Sequence, residues 1–152
     1  MSTFVANAPF SASHPSALAI YCSDGRFTEA VEELLHHLGH KRLDTLTLPG
    51  GPGLLNPWAS GGSVLEAGHV MKSAQMLIKN HGITEVVLLA HAGCGHYKQR
   101  FPRQSADEIK KVQIEDLAVA AKALDSKALR IHRYWLEPQG DRVRFERLAE
   151  PI

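Results

Sequence analysis

The stretch TEVVLLAH, residues Thr84 to His91, carries the strongest strand signal in the sequence. Its apolar residues are consecutive from Val86 to Ala90, a pattern typical of a central parallel strand that is buried on both faces. A second short apolar run, Ala17 to Cys22, has the same character. We therefore expect these two segments to be strands of one buried sheet.

Helical and extended patterns alternate along the rest of the chain. Apolar spacing, together with capping boxes at Ser63/Glu66 and Ser105/Glu108, predicts helices over residues 27–38, 63–80 and 105–124. Further strands are expected over residues 43–48, 128–136 and 142–148, the last two joined by a turn at Gln139-Gly140, and residues 49–62 are expected to be a loop. This order predicts an α/β fold, a mainly parallel four-stranded sheet flanked by helices with an additional antiparallel C-terminal strand.

Composition narrows the classes of protein to consider. A chain of 152 residues suits a single domain over residues 1–152, in which residues 1–16 read as an N-terminal arm. The 17 basic and 16 acidic side chains nearly cancel, so we expect neither nucleic acid nor an anionic membrane as partner. No apolar stretch approaches the roughly twenty residues of a membrane span. Two cysteines and no recognisable secretory signal favour a reduced, cytoplasmic setting.

Chemically active side chains follow the two buried strands. Cys22 is followed by Asp24 and Arg26, and His91 is followed by Cys94. Because ligand sites in open α/β sheets form beyond the carboxyl ends of the strands, these residues should meet at one edge. Two thiolates and an imidazole are a common zinc set that leaves a fourth position open. The alternative is that both cysteines are small buried hydrophobes and the histidine a core residue, but this leaves the neighbouring aspartate and arginine without a purpose.

These two motifs, Cys-x-Asp-x-Arg and His-x-x-Cys, resemble the signature motifs of the β-class carbonic anhydrases. The resemblance implies that Cys22, His91 and Cys94 bind Zn²⁺ and that Asp24 and Arg26 form a catalytic dyad beside the metal, with Asp24 an occasional fourth ligand. It implies reversible hydration of carbon dioxide to bicarbonate by a zinc-bound hydroxide. It also implies a homodimer or a dimer of dimers, in which the N-terminal arm wraps a neighbouring subunit.

Two stretches depart from that family's pattern. Residues 48–53, Leu-Pro-Gly-Gly-Pro-Gly, stand where active members carry an Arg-Asn-Ala-Gly-like stretch, and residues 11–15 lack a glutamine that helps to line the substrate pocket. Two alternatives therefore stay open. One is a related zinc lyase or hydrolase acting on carbonyl sulfide or carbon disulfide, and the other is a zinc-binding family member without catalysis.

A third alternative comes from the Cys-x5-Arg spacing of Cys94 and Arg100, which resembles the phosphate cradle of tyrosine phosphatases. That cradle needs the loop to run straight into a helix whose N-terminus faces the anion. Pro102 and the cap signal at Ser105 predict that the helix begins too late, which disfavours this interpretation. His96, beside the metal motif, is the residue we favour for carrying protons.

Overall fold

The computed structural model describes residues 2–58 and 63–149, and in these the predicted sheet is present. It has five strands in the order β2-β1-β3-β4-β5. They span Ala17–Tyr21 (β1), Asp44–Thr47 (β2), Glu85–His91 (β3), Arg130–Gln139 (β4) and Arg142–Arg147 (β5). The first four are parallel and β5 pairs antiparallel with β4, as the sequence predicts. The two apolar runs, β1 and β3, are neighbours at the centre of the sheet.

Within the described ranges, four α-helices and one 3₁₀ helix connect the strands. The α-helices span Thr28–His37 (α1), Val64–His81 (α2), Gly95–Arg100 (α3) and Ala106–Leu124 (α4), and the 3₁₀ helix spans Gly51–Leu55. Both predicted capping boxes form, because the hydroxyls of Ser63 and Ser105 accept from backbone N–H groups while the glutamates three residues later bond back. Gly82, with a φ of 68°, ends α2 in the left-handed conformation that glycine tolerates best.

The sheet buries a different set of helices on each face. On one face, Leu18 and Ile20 of β1 pack in a cluster with α2 and α4, while on the other Ala19 and Tyr21 pack with α1. Side chains of successive strand residues point to opposite faces, so a continuous apolar run supplies both cores at once. At about 1.5–3 kcal/mol for each large aliphatic side chain, this burial is the main force holding β1 and β3 in the middle of the sheet.

Two segments differ from the sequence prediction. Residues 95–100, expected to be loop, form the short helix α3, and part of the expected loop 49–62 is the 3₁₀ helix. Strand β4 also runs three residues past Leu136, through Pro138, to Gln139. Pairing with β3 stops at Leu136, so beyond that point only β5 neighbours β4, and a proline without an N–H is tolerated there. The turn itself is Gly140-Asp141 rather than Gln139-Gly140.

Residues 2–16 precede β1 without helix or strand. Three of their apolar side chains are almost fully exposed, Phe4 at 88%, Val5 at 82% and Phe10 at 91%. The base of this segment is attached to the domain, because Arg42 donates to the carbonyl of Ser13 at 2.8 Å. Among the helices in the described part of the chain, none is both long and apolar enough to cross a membrane.

Candidate metal centre

Cys22, His91 and Cys94 meet at the carboxyl edge of the sheet. Cys22 directly follows β1 and His91 is the last residue of β3, and these strands are parallel neighbours. A tight turn brings Cys94 back to the same point, and its Gly93 has a φ of 72°, which disfavours side chains other than glycine. The ligand atoms of all three residues lie within 4.8 Å of one another. The structure therefore brings together the three residues that the sequence assigned to zinc.

The His91 imidazole is oriented for coordination. Its Nδ1 bonds the carbonyl oxygen of Ala92 at 2.9 Å, and the Phe27 ring packs 4.3 Å from it, centroid to centroid. The side chain is buried, and Nε2 has no hydrogen-bond partner among the described residues. Leaving a buried polar nitrogen unpaired costs about 1–3 kcal/mol, so the fold keeps this atom free for something else to bind. A metal ion fits that need, since a bond at Nδ1 commonly fixes a ligating histidine.

The two thiols behave as one coupled pair. The sulfurs of Cys22 and Cys94 lie 3.9 Å apart. The hydrogen bond to Cys94, with smaller effects of the neighbouring His91 imidazole and of the nearby Gly50 and Asp24 backbone, holds the pKa of the Cys22 thiol far below its ordinary value. The same bond to Cys22, together with burial, raises the pKa of Cys94. Both sulfurs would be thiolates with a metal bound, since metal ligation displaces thiol protons.

The sulfur separation also suits zinc. Thiolates about 2.3 Å from a tetrahedral ion lie roughly 3.8 Å apart, close to the observed 3.9 Å between the two sulfurs. Both cysteines are free rather than joined in a disulfide. The donor set, the sulfur spacing and the unpaired imidazole nitrogen together fit a zinc site with three protein ligands.

Asp24 and Arg26 form a two-pronged ion pair beside this cluster. Arg26 donates from Nε to Oδ1 of Asp24 at 3.0 Å and from Nη2 to Oδ2 at 2.6 Å. These side-chain hydrogen bonds lower the pKa of Asp24 to about 2. The same Oδ2 lies 3.9 Å from Nε2 of His91, so the carboxylate faces the space where a metal would sit. Because the arginine holds both oxygens, the carboxylate is outside the group of atoms that converge on that space.

The glycine loop, residues 50–55, lies directly against the cluster. Gly50 has a φ of 89°, and a Cβ there would lie 2.6 Å from Cδ2 of His96. Gly51 has a φ of 55°, and its Cβ would lie 2.8 Å from the backbone nitrogen of Cys22. The loop backbone therefore packs against the strand end that carries Cys22, at a distance only glycine permits. Sequence analysis identified this stretch as a departure but did not foresee that it supports the site.

Gln113 is a second residue that sequence analysis missed. It lies on α4, is 2% exposed, and donates from Nε2 to the carbonyl oxygen of His91 at 3.1 Å. This bond ties the end of β3 to the helix packed over it. The available signal was its place among Ile109, Leu117 and Ala120, since a polar residue on the apolar face of a helix marks a specific buried partner.

The reason given for disfavouring a phosphate cradle is wrong, because α3 begins at Gly95, directly after Cys94. The cradle is disfavoured on other grounds. Residues Gly95–Arg100 are themselves helical, whereas a cradle needs them as a loop around the anion. The Arg100 guanidinium lies over the rings of Tyr97 and Phe101, with its carbon 5.6 and 5.3 Å from their centroids. The arginine therefore packs on aromatic rings.

Comparisons with known proteins agree with the fold. No family model matches the sequence, and no curated protein matches it. Among solved structures, the chain is similar to tetrameric β-carbonic anhydrases of Sordaria macrospora, with 13% identity, 90% of this chain and 84% of that one covered, and a TM-score of 0.54. It is similar to carbonic anhydrase of Streptococcus mutans, with 17% identity, coverage of 92% and 87%, and a TM-score of 0.53.

A third similar structure is the β-carbonic anhydrase CafA of Aspergillus fumigatus, with 19% identity, coverage of 91% and 78%, and a TM-score of 0.51. The likeness spans nearly the whole chain in each case. The protein therefore has the β-carbonic anhydrase fold, and the resemblance that the sequence motifs indicated is supported at the level of structure.

Proposed function

We propose that this protein is a zinc-dependent carbonic anhydrase that catalyses the reversible hydration of carbon dioxide to bicarbonate. One observation carries the proposal: a Cys-His-Cys cluster with a buried, unpartnered imidazole nitrogen lies beside a carboxylate held by an arginine. The β-carbonic anhydrase fold supports the same reaction.

In this proposal Cys22, His91 and Cys94 would hold the zinc ion. Zinc, when bound, supplies a Lewis acid that makes water a nucleophile near neutral pH. Asp24, with a pKa of about 2, is ionised throughout the physiological range and can only accept hydrogen bonds. It would accept the hydrogen of the attacking water and so direct the oxygen lone pair at the carbon of the substrate. Arg26 would keep the carboxylate ionised and in place.

A second candidate reaction is hydrolysis of carbonyl sulfide or carbon disulfide, which are linear molecules of similar size. The glycine loop supports this second reaction, because the loop contacts the cluster where the resembling family carries a different sequence. A zinc-binding protein without catalysis is less well supported. A structural zinc site needs neither an ionised aspartate facing it nor an arginine to hold that aspartate.

The test is metal analysis followed by assays on three substrates. Purified, reduced protein should contain about one zinc per chain, and His91→Ala should lose most of it. Zinc-loaded protein should then hydrate carbon dioxide in a stopped-flow assay, with carbonyl sulfide and carbon disulfide measured in parallel. Folded protein that takes up no zinc would refute the metal site, whereas zinc-loaded protein active only on a sulfur-containing substrate would replace the proposed reaction.

Assembly and setting belong to the same proposal. We place the protein in a reducing, cytoplasmic compartment, since both ligand sulfurs must remain thiolates to bind zinc. We also propose a homodimer or dimer of dimers, supported by the exposed Phe4, Val5 and Phe10 of the N-terminal segment. The similar Sordaria macrospora enzymes are tetrameric.

A further inference from the structure

Asp116 is a buried carboxylate without an assigned task. It lies on α4 and is 3% exposed. Its Oδ2 accepts from the hydroxyl of Tyr97 at 2.6 Å, and its Oδ1 accepts from Nδ2 of Asn56 at 2.7 Å. Burying a carboxylate is costly unless it is well bonded, so this group is kept for the two partners that it joins.

The first partner belongs to the metal cluster. Tyr97 lies on α3, whose N-cap residue is Cys94, and its buried side chain packs in one apolar cluster with that cysteine. Its hydroxyl donates to Asp116.

The second partner belongs to the glycine loop. Asn56 directly follows the loop. The loop also contacts Tyr97 directly, because a Cβ on Gly53 would come within 1.8 Å of the tyrosine hydroxyl. At its other end the loop backbone packs against Cys22, because a Cβ on Gly51 would lie 2.8 Å from the backbone nitrogen of Cys22. The carboxylate thus connects the support of one cluster cysteine with the support of the other.

We infer that Asp116 is a positioning residue that holds the glycine loop against β1, so that the loop backbone stays packed on Cys22 and slows release of a bound metal. This inference rests on the proposed zinc site. It assigns Asp116 an indirect effect on the cluster, from α4 through the glycine loop, without any contact between Asp116 and the ligands. Outer partners of metal ligands typically change metal affinity by about 10- to 100-fold.

Two variants and a matched control test it. Asp116→Asn replaces one carboxylate oxygen by an NH₂ group, which must then face a hydrogen-bond donor, either the Tyr97 hydroxyl or the Asn56 amide. Tyr97→Phe removes one hydrogen bond while keeping the ring. Glu115→Gln is the control, because Glu115 is the adjacent residue of α4 and is exposed. The measurements are hydrogen exchange of residues 50–56 in metal-free protein, zinc release to a chromogenic chelator, and far-UV circular dichroism to confirm folding.

Both variants should exchange the loop amides faster than the control and release zinc roughly tenfold faster, with unchanged helix content. Unchanged loop exchange in both would overturn the positioning role, whether or not zinc binds. Faster exchange with control-like zinc release would overturn the link from the loop to the metal. Wild-type protein that binds no zinc would refute the proposed function instead, and loop exchange in metal-free protein would still decide whether Asp116 anchors the loop.

Discussion

The ion pair with Arg26 is the main reason that the Asp24 carboxylate stays ionised. Arg26 is largely exposed, with 70% of its side chain accessible, yet it engages both carboxylate oxygens. A two-pronged bond of this kind sets direction as well as charge. In the proposed function, metal binding and the orientation of the reacting water depend on different residues, so a substitution can separate them.

Arg26→Ala should keep zinc bound while lowering carbon dioxide hydration at neutral pH by roughly 10- to 100-fold, because Asp24 loses its orientation. The turnover rate of Arg26→Lys should fall between those of the wild type and the alanine variant, since a lysine restores positive charge but not the paired geometry. The measurement is the turnover rate divided by zinc content for each variant. Wild-type turnover in the alanine variant would contradict the role assigned to the pair.

Glu85 is a second residue whose charge is set by its neighbours, at the opposite end of β3. Its carboxylate bonds Nε2 of His40 at 3.0 Å and Nη2 of Arg130 at 2.8 Å, and His132 lies 3.2 Å away. Burial alone would raise the pKa of Glu85, but the bonds from His40 and Arg130 lower it below the ordinary 4.5. A carboxyl whose pKa is lowered by folding stabilises the protein above the unfolded-state pKa, and this stabilisation disappears as pH falls through the folded value.

Glu85→Gln should therefore lower the free energy of unfolding at pH 7 by about 1.5–3 kcal/mol, the usual size for hydrogen bonds to a charged group. The difference from wild type should shrink as the pH falls below about 4.5, the ordinary glutamate pKa. Urea unfolding at pH 7 and pH 4 measures this, with Glu33→Gln on the exposed side of α1 as control. A difference that stays constant between the two pH values would show that the charge of Glu85 is not what matters.

Among the connecting elements, the glycine loop has the least room for change. Gly51 combines a φ of 55° with backbone atoms of the Cys22 strand end only 2.8 Å from where its Cβ would be. Neither the conformation nor the neighbour can adjust cheaply, because the neighbour is main chain. The loop and β1 must therefore move apart when any side chain is introduced.

Gly51→Ala should destabilise the protein by roughly 1–3 kcal/mol, the range for overpacking, and weaken zinc binding. Gly68→Ala is the matched control, because Gly68 lies within α2 with nothing within 4 Å of a Cβ. Alanine there should stabilise the helix by up to about 1 kcal/mol. Thermal unfolding and chelator competition compare the two, and equal behaviour of both variants would contradict the close-packing argument.

The elements predicted best are those whose sequence pattern is formed by residues close together in the chain. Strand β3 and the capping boxes of α2 and α4 depend on neighbouring residues, and sequence identified them within one or two positions. Helix α3 has six residues and no side-chain cap, so no periodicity could reveal it. Cys22, His91 and Cys94 could be assigned because strand ends place them. The place of Gln113 on the apolar face of α4 signals burial but does not reveal its partner. Asp116 joins Asn56 to Tyr97 across tertiary contacts that no local pattern encodes.

At the scale of the whole molecule, the sheet as described has two edge strands, β2 and β5, and the Cys-His-Cys cluster lies at the carboxyl ends of central strands. Large apolar side chains that the domain leaves exposed include Phe4, Val5 and Phe10 of the N-terminal segment, Trp58, and Val64 and Leu65 at the start of α2. Isolated exposed apolar residues are common on soluble proteins, but a group of large ones on a segment without secondary structure favours packing against another chain.

A second copy of the chain is the partner we expect for these residues, because symmetric self-association is the commonest way soluble proteins cover such surfaces. Light scattering at micromolar concentration should give at least twice the chain mass of 16.7 kDa. Deletion of residues 2–12 should shift the protein toward the monomer mass and reduce activity, since the segment would no longer cover a neighbouring site. The double variant Phe4→Ser/Phe10→Ser keeps the length of the segment and should have the same effect if the apolar side chains are responsible. A fully active monomer, either in the wild type or after the deletion, would refute this assembly.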